Sequence, residues 1–101
     1  MAVAALLRAA LSDPEEAVRK ASLLGLFHAR SAVLEMALLA AALDPDEQVR
    51  RLALEGMAAV GSPRREIAAK LLANDADADV AETAAKIAQG IEIEYFELEG
   101  P

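Results

Sequence analysis

The chain has no cysteine, which excludes disulfides, thiolate metal sites and thiol nucleophiles. It has a single histidine, His28, with no second imidazole and no motif around it. A catalytic or metal-binding role for His28 is therefore not expected; a cation near a helix C-terminus is favourable in its own right. Aromatic residues are only 3% of the chain. That scarcity disfavours strands, which draw on aromatic and β-branched side chains. No apolar stretch approaches the roughly eighteen residues that a membrane span requires. Basic charge is also short: ten Lys and Arg stand against 17 Asp and Glu, for a net charge of −7. Such a balance opposes direct binding to a phosphate backbone.

What is abundant is alanine and leucine, within a hydrophobic content of 55% over 101 residues. These residues favour helices, and the length suits one domain with its own core. The N-terminal apolar run is broken by Arg8 and has no basic segment before it, so an export signal is not expected. A cytoplasmic protein is the default expectation. Charge is unevenly spread. Residues 91–101 hold four of the 17 acids (Glu92, Glu94, Glu97 and Glu99), leaving 13 acids against ten bases and a net charge of −3 for residues 1–90.

The strongest pattern is a repeat of 31 residues. Asp13-Pro14-Glu15-Glu16-Ala17-Val18-Arg19 recurs as Asp44-Pro45-Asp46-Glu47-Gln48-Val49-Arg50, and more weakly as Asp75-Ala76-Asp77-Ala78-Asp79-Val80-Ala81. A fixed period of this size is the mark of a solenoid. Each unit reads as two helices. Asp13 and Asp44 are suited to cap the second helix of their units, with Pro14 and Pro45 at its first position and Glu16 and Glu47 completing a capping-box pattern. In the third unit either Asp75 or Asp77 suits the cap. Ser31 and Ser62 mark first-helix starts, Pro63 following Ser62, and Gly61 ends a helix by taking positive φ. The predicted helices are 1–12, 14–29, 32–43, 45–60, 63–73 and 76–89.

The second helices share an inward row: Val18, Ala21, Ser22 and Gly25; Val49, Leu52, Ala53 and Gly56; Val80, Thr83, Ala84 and Ile87. Spacings of three and four put each set on one face. The first helices contribute Leu7, Ala10 and Leu11, then Leu38, Ala41 and Ala42, then Ala69, Leu72 and Ala73. Stacking the units would bury these faces continuously.

The stretch from Val49-Arg50-Arg51 through Gly56 to Gly61-Ser62-Pro63, with the Asp13-to-Arg19 and Asp44-to-Arg50 spacing, resembles the short bacterial HEAT-like repeat, also called the PBS-lyase HEAT-like repeat. The resemblance covers about residues 1–90. The third unit has Ala81 in place of the arginine and lacks the proline, as terminal capping repeats do. The resemblance implies an all-α, right-handed α-α superhelix of three HEAT-like helix pairs, followed by a short extended tail. The units would be 1–31, 32–62 and 63–90, with an acidic tail at 91–101. It further implies a concave face lined by the second helices and a scaffold or adaptor role. Some relatives are subunits of bilin lyases, which gives the alternative of an accessory subunit for a protein-modifying enzyme.

The candidate sites divide accordingly. Arg19 and Arg50 suit either an anion clamp or a ladder to the Asp and carbonyls of adjacent turns; recurrence favours the ladder. Asp75, Asp77 and Asp79 alternate like a calcium loop, but the sixth and twelfth positions counted from Asp75 are Val80 and Lys86 instead of Gly and Glu. No metal, cofactor or catalytic residue is therefore expected. The protein-binding candidates on the concave strip are Lys20, Leu24 and Phe27, then Arg51 and Glu55, then Glu82 and Lys86. Phe27 suits either a partner contact or a cover for the open end of the stack. The tail adds Tyr95 and Phe96. Ile91-Glu92-Ile93-Glu94-Tyr95 alternates as a strand does, and Phe96-Glu97-Leu98-Glu99 continues after one slip of phase. Three outcomes stay open for it: folding back over the last helix pair, pairing with a partner or a second copy, or disorder. The expected partner is another protein, with a homodimer through the tail or the N-terminal helix as one form. Met1 aligns with Ala32, so the apolar first helix is expected to be covered by a partner, a second copy or further sequence.

Overall fold

The computed structural model describes residues 3–99. Seven helices follow in order: α1 (Val3–Ser12), α2 (Glu16–His28), α3 (Leu34–Ala41), α4 (Glu47–Ala59), α5 (Arg65–Leu72), α6 (Ala78–Ala88) and a single turn, α7 (Phe96–Glu99). No strand occurs among the described residues. Met1 and Ala2 of the predicted first helix, and Gly100 and Pro101 of the tail, lie outside the described residues. None of the described helices is long and apolar enough to cross a membrane.

The helices pack in consecutive pairs. α1 lies on α2, α3 on α4 and α5 on α6, while α2, α4 and α6 form a row through contacts of α2 with α4 and α4 with α6. The radius of gyration is 12.3 Å, close to the ~13 Å of a compact chain this long. α4 is the middle of the row and touches α2, α3, α5, α6 and α7. It is accordingly buried without a break from Leu52 to Met57. Gly56 permits the close approach of α3: a Cβ there would stand 2.9 Å from Leu38 Cδ2.

The starts of α2 and α4 depart from the predicted caps, while α6 takes Asp77, one of its two candidates. Asp13, Asp44 and Asp75 do not cap. Each accepts an Oδ1 hydrogen bond from the backbone N–H two residues on, at Glu15, Asp46 and Asp77. This Asx turn places the N-cap two residues beyond Asp13, Asp44 and Asp75. The N-cap residues are Glu15, Asp46 and Asp77. Asp46 accepts from Gln48 N and Val49 N, and Asp77 from Val80 N, whereas Glu15 makes no side-chain cap bond. The extra methylene of glutamate places its carboxylate badly for a bond that Asp makes well. Ser31 and Ser62 behave similarly. Their hydroxyls accept from Val33 N and Arg64 N, and the helices begin at Leu34 and Arg65.

The exit turns of α2, α4 and α6 share a positive-φ residue: Arg30 at 52°, Gly61 at 65° and Gly90 at 71°. In each, the following N–H bonds back to a carbonyl five residues earlier: Ser31 to Leu26, Ser62 to Met57, Ile91 to Lys86. This Schellman closure satisfies carbonyls that the helix end would leave open. α6 has 11 residues where α2 and α4 have 13, so Gly90 turns the chain out early, into the tail.

Two predicted inward residues of the first unit, Val18 and Ala21, are exposed, as is Leu11. Ala73, in the third unit, is exposed as well. Their equivalents Val49, Leu52 and Ala42 are 0–1% exposed. Val49 and Leu52 sit on the middle helix of the row, which has a neighbour on either side. α2 stands at one end of the row, packed on one such neighbour, α4; at the other end α6 keeps the equivalent Val80 and Thr83 buried.

Candidate functional site

Arg19 and Arg50 are spent on the fold. Arg19 Nε and Nη2 donate to Asp44 Oδ2 and Oδ1 at 2.8 and 2.9 Å, and Nη1 donates to the Asp13 carbonyl. Arg50 repeats the geometry on Asp75 at 2.8 and 2.9 Å, with Nη1 on the carbonyls of Asp44 and Pro45. Each guanidinium fork therefore ties the turn of its own unit to the turn of the next, by bidentate pairing that lysine cannot make. The hydrogen bond from Arg50 holds the Asp75 carboxyl below its ordinary range. Of the other acids in the alternating run, Asp77 is the α6 cap and Asp79 is exposed, with Arg51 Nη1 3.9 Å away. His28 is exposed, its ring edge-on to Phe27 at 5.5 Å.

The seven strip candidates lie on α2, α4 and α6, and the tail returns to α4. The fold thus brings the strip and the tail into one site. Its centre is Glu55, which is 0% exposed. Glu55 Oε1 accepts from the backbone N–H groups of Glu97 at 2.9 Å and Leu98 at 3.0 Å. Oε2 accepts from Arg51 Nε at 3.0 Å. The carboxylate thereby satisfies two of the open donors of α7. Burial pushes its pKa above the ordinary value, against the opposing pull of the Leu98 and Glu97 N–H groups and of Arg51.

The neighbours of Glu55 add further contacts. The Arg51 guanidinium lies 4.7 Å from the Phe96 ring centroid, a cation–π geometry. Lys20 Nζ reaches the Glu97 carboxylate and, at 3.3 Å, Gln48 Oε1. Leu24 and Phe27 are half-buried and pack on the core, as do Ile93 and Leu98 from the tail. Phe27, His28, Ala59, Tyr95, Leu98 and Glu99 line an open cleft of about 620 Å³. Glu82 and Lys86 pair with each other at 3.5 Å. They border a second cleft of about 280 Å³, together with Arg51, Asp79, Ile93 and Phe96.

The tail corrects one expectation. Residues 91–95 have no regular structure, but the segment after the phase slip, expected to be extended, is the helical turn α7. The slip at Tyr95-Phe96 marks where alternation stops and Glu99 N bonds back to Tyr95 O. The tail lies on α4, the middle of the row, instead of only covering the last pair. Glu97, Leu98 and Ile93 belong to the site, and sequence reasoning did not single them out. The phase slip was their one local signal. The tail-to-Glu55 bonds join residues 42 and 43 positions apart; no local pattern announces them.

Comparison of the chain with protein-family models, with curated proteins and with solved structures gave no match.

Proposed function

We propose that the chain is a non-catalytic protein-interaction module of the HEAT-like class. Its three helix pairs would form a right-handed superhelix that presents the α2–α4–α6 face and the tail to another protein. The observation that supports this reading is a division of labour. The polar residues that recur with the period, Arg19, Arg50, Asp44 and Asp75, are consumed by inter-turn pairs. The strip residues that break the period, Leu24, Glu55 and Lys86 at equivalent positions, fall on a single face. A structural role recurs in every unit; a recognition role varies between units.

Site-directed photo-crosslinking tests the proposal. A photoreactive residue replaces Glu82, at the α6 edge of the strip, or Met36, exposed on α3. Each is placed in the full chain, with and without Phe96→Ala/Leu98→Ala, in extract of the source cell. A protein adduct formed from position 82, absent from position 36 and lost with Arg51→Glu, is expected. Equal adducts from both positions, or none from 82 in either background, would overturn it.

A further inference from the structure

The strip is occupied by the chain's own α7, and the contacts of α7 spell out what the strip accepts. Glu55 takes two backbone N–H groups at the start of a helical turn. Arg51 takes an aromatic face at the first position of that turn. Lys20 takes a carboxylate at the second, and a partly buried leucine at the third packs on the core. The recognised order is aromatic, acidic, aliphatic.

The same contacts show how lightly α7 is held. None of its residues is buried, and Phe96 is 56% exposed. The turn is four residues long, too short for a helix to be stable on its own. It is joined to α6 through Gly90 and five residues without regular structure. Segments with little buried apolar area open at a fraction of the global unfolding free energy. Lifting α7 strips Glu55 of both its amide donors and leaves it with Arg51. A carboxylate that keeps one of three donors is under-satisfied wherever it stays out of water, so the open face favours any segment that returns two N–H donors. Another acidic group at that point would be repelled; an acid one position along is drawn by Lys20.

Resting on the function proposed above, we infer that the α2–α4 strip is a docking site for a partner segment of aromatic–acidic–aliphatic order that starts a helical turn, and that α7 is a tethered competitor for it. Tethering gives α7 an effective concentration in the millimolar range. A partner therefore binds only when it outcompetes the tail or meets chains whose tail is released.

The test uses the full chain and a fluorescein-labelled peptide of sequence Ile91–Pro101. Binding is read by anisotropy to the wild type and to Phe96→Ala/Leu98→Ala, whose fold is checked by circular dichroism. The released variant is expected to bind at least about ten-fold more tightly than the wild type. Adding Arg51→Ala, or using a peptide with its phenylalanine changed to alanine, is expected to remove most of that gain. Glu97→Lys, which takes away no apolar burial, gives the same ordering if the double variant is unfolded. No binding to a folded, released variant would overturn the docking site. Equal binding to wild type and released chains would overturn the competition. In either case a face-specific crosslink from Glu82 leaves the broader function standing, so the two failures are distinguishable.

Discussion

Among the helix ends, two side chains work against their backbone positions. Arg30 holds φ at 52° where Gly61 and Gly90 stand in the other two exit turns. A side chain in that region costs about 1 kcal/mol that glycine does not. Arg30→Gly is expected to stabilise the protein by about 1 kcal/mol, read as a higher midpoint in urea with an unchanged slope. Glu15 is the N-cap without a side-chain bond, while Asp46 and Asp77 make theirs. Glu15→Asp is expected to add that bond and about 0.5–1 kcal/mol. A thermal midpoint that does not rise would show that the Asx turn at Asp13 leaves the position no room to cap. Neither defect stands out in sequence alone. The 31-residue repeat aligns Glu15 with Asp46 and Asp77, whereas the capping-box pattern points to Asp13 and Asp44. Those carboxylates are claimed elsewhere: Asp13 and Asp44 close turns, and Asp44 also holds Arg19 from the preceding unit.

Between elements, stability rests on apolar stacking and on the Arg–Asp ties. Arg50 and Asp75 pair with side chains 16% and 7% exposed. Asp75→Asn removes the charge while keeping the Asx acceptor for Asp77 N. It is expected to cost about 1–2 kcal/mol, less than a fully buried pair because the turns border solvent. The pH dependence follows from the sign of the shift. The folded-state pKa of Asp75 lies below the unfolded value of 3.8, so its contribution is present above that value and is lost as pH falls through the folded pKa. Glu55 has the opposite sign. Its folded pKa is raised above 4.5, so its protonation on acidification favours the folded state. Wild-type stability should therefore decline chiefly below about pH 4, and Asp75→Asn should decline less steeply there. Urea titrations at several pH values check this; parallel acid limbs would assign the loss to other groups. The ladder was legible in advance because its parts lie within one period. The exposure of Val18 and Ala21 was not, because the repeat treats every unit alike, whereas burial at an end of the row depends on the side from which the one neighbouring helix packs: Val80 and Thr83 of α6 are buried.

Across the whole molecule the tail converts an open helical face into a closed one. α7 covers Glu55 without burying any residue of its own. The amide hydrogens of Glu97 and Leu98 are thus expected to exchange through local opening, at least about a hundred-fold faster than Leu52 and Leu54 in α4. Native-state hydrogen exchange reads both sets in one experiment. Equal protection would mean that the tail opens only with the core. The sequence by itself determined what is periodic and local: the helical class, the 31-residue units, the apolar rows and the Arg–Asp spacing. These follow from helix geometry, which relates residues three, four and 31 positions apart. Tertiary structure alone decided that Glu55 is buried, that its donors are Glu97 N and Leu98 N, and that Phe96 faces Arg51. Those contacts depend on where a non-repeating segment comes to rest, here against α4, a helix already packed by α2, α3, α5 and α6.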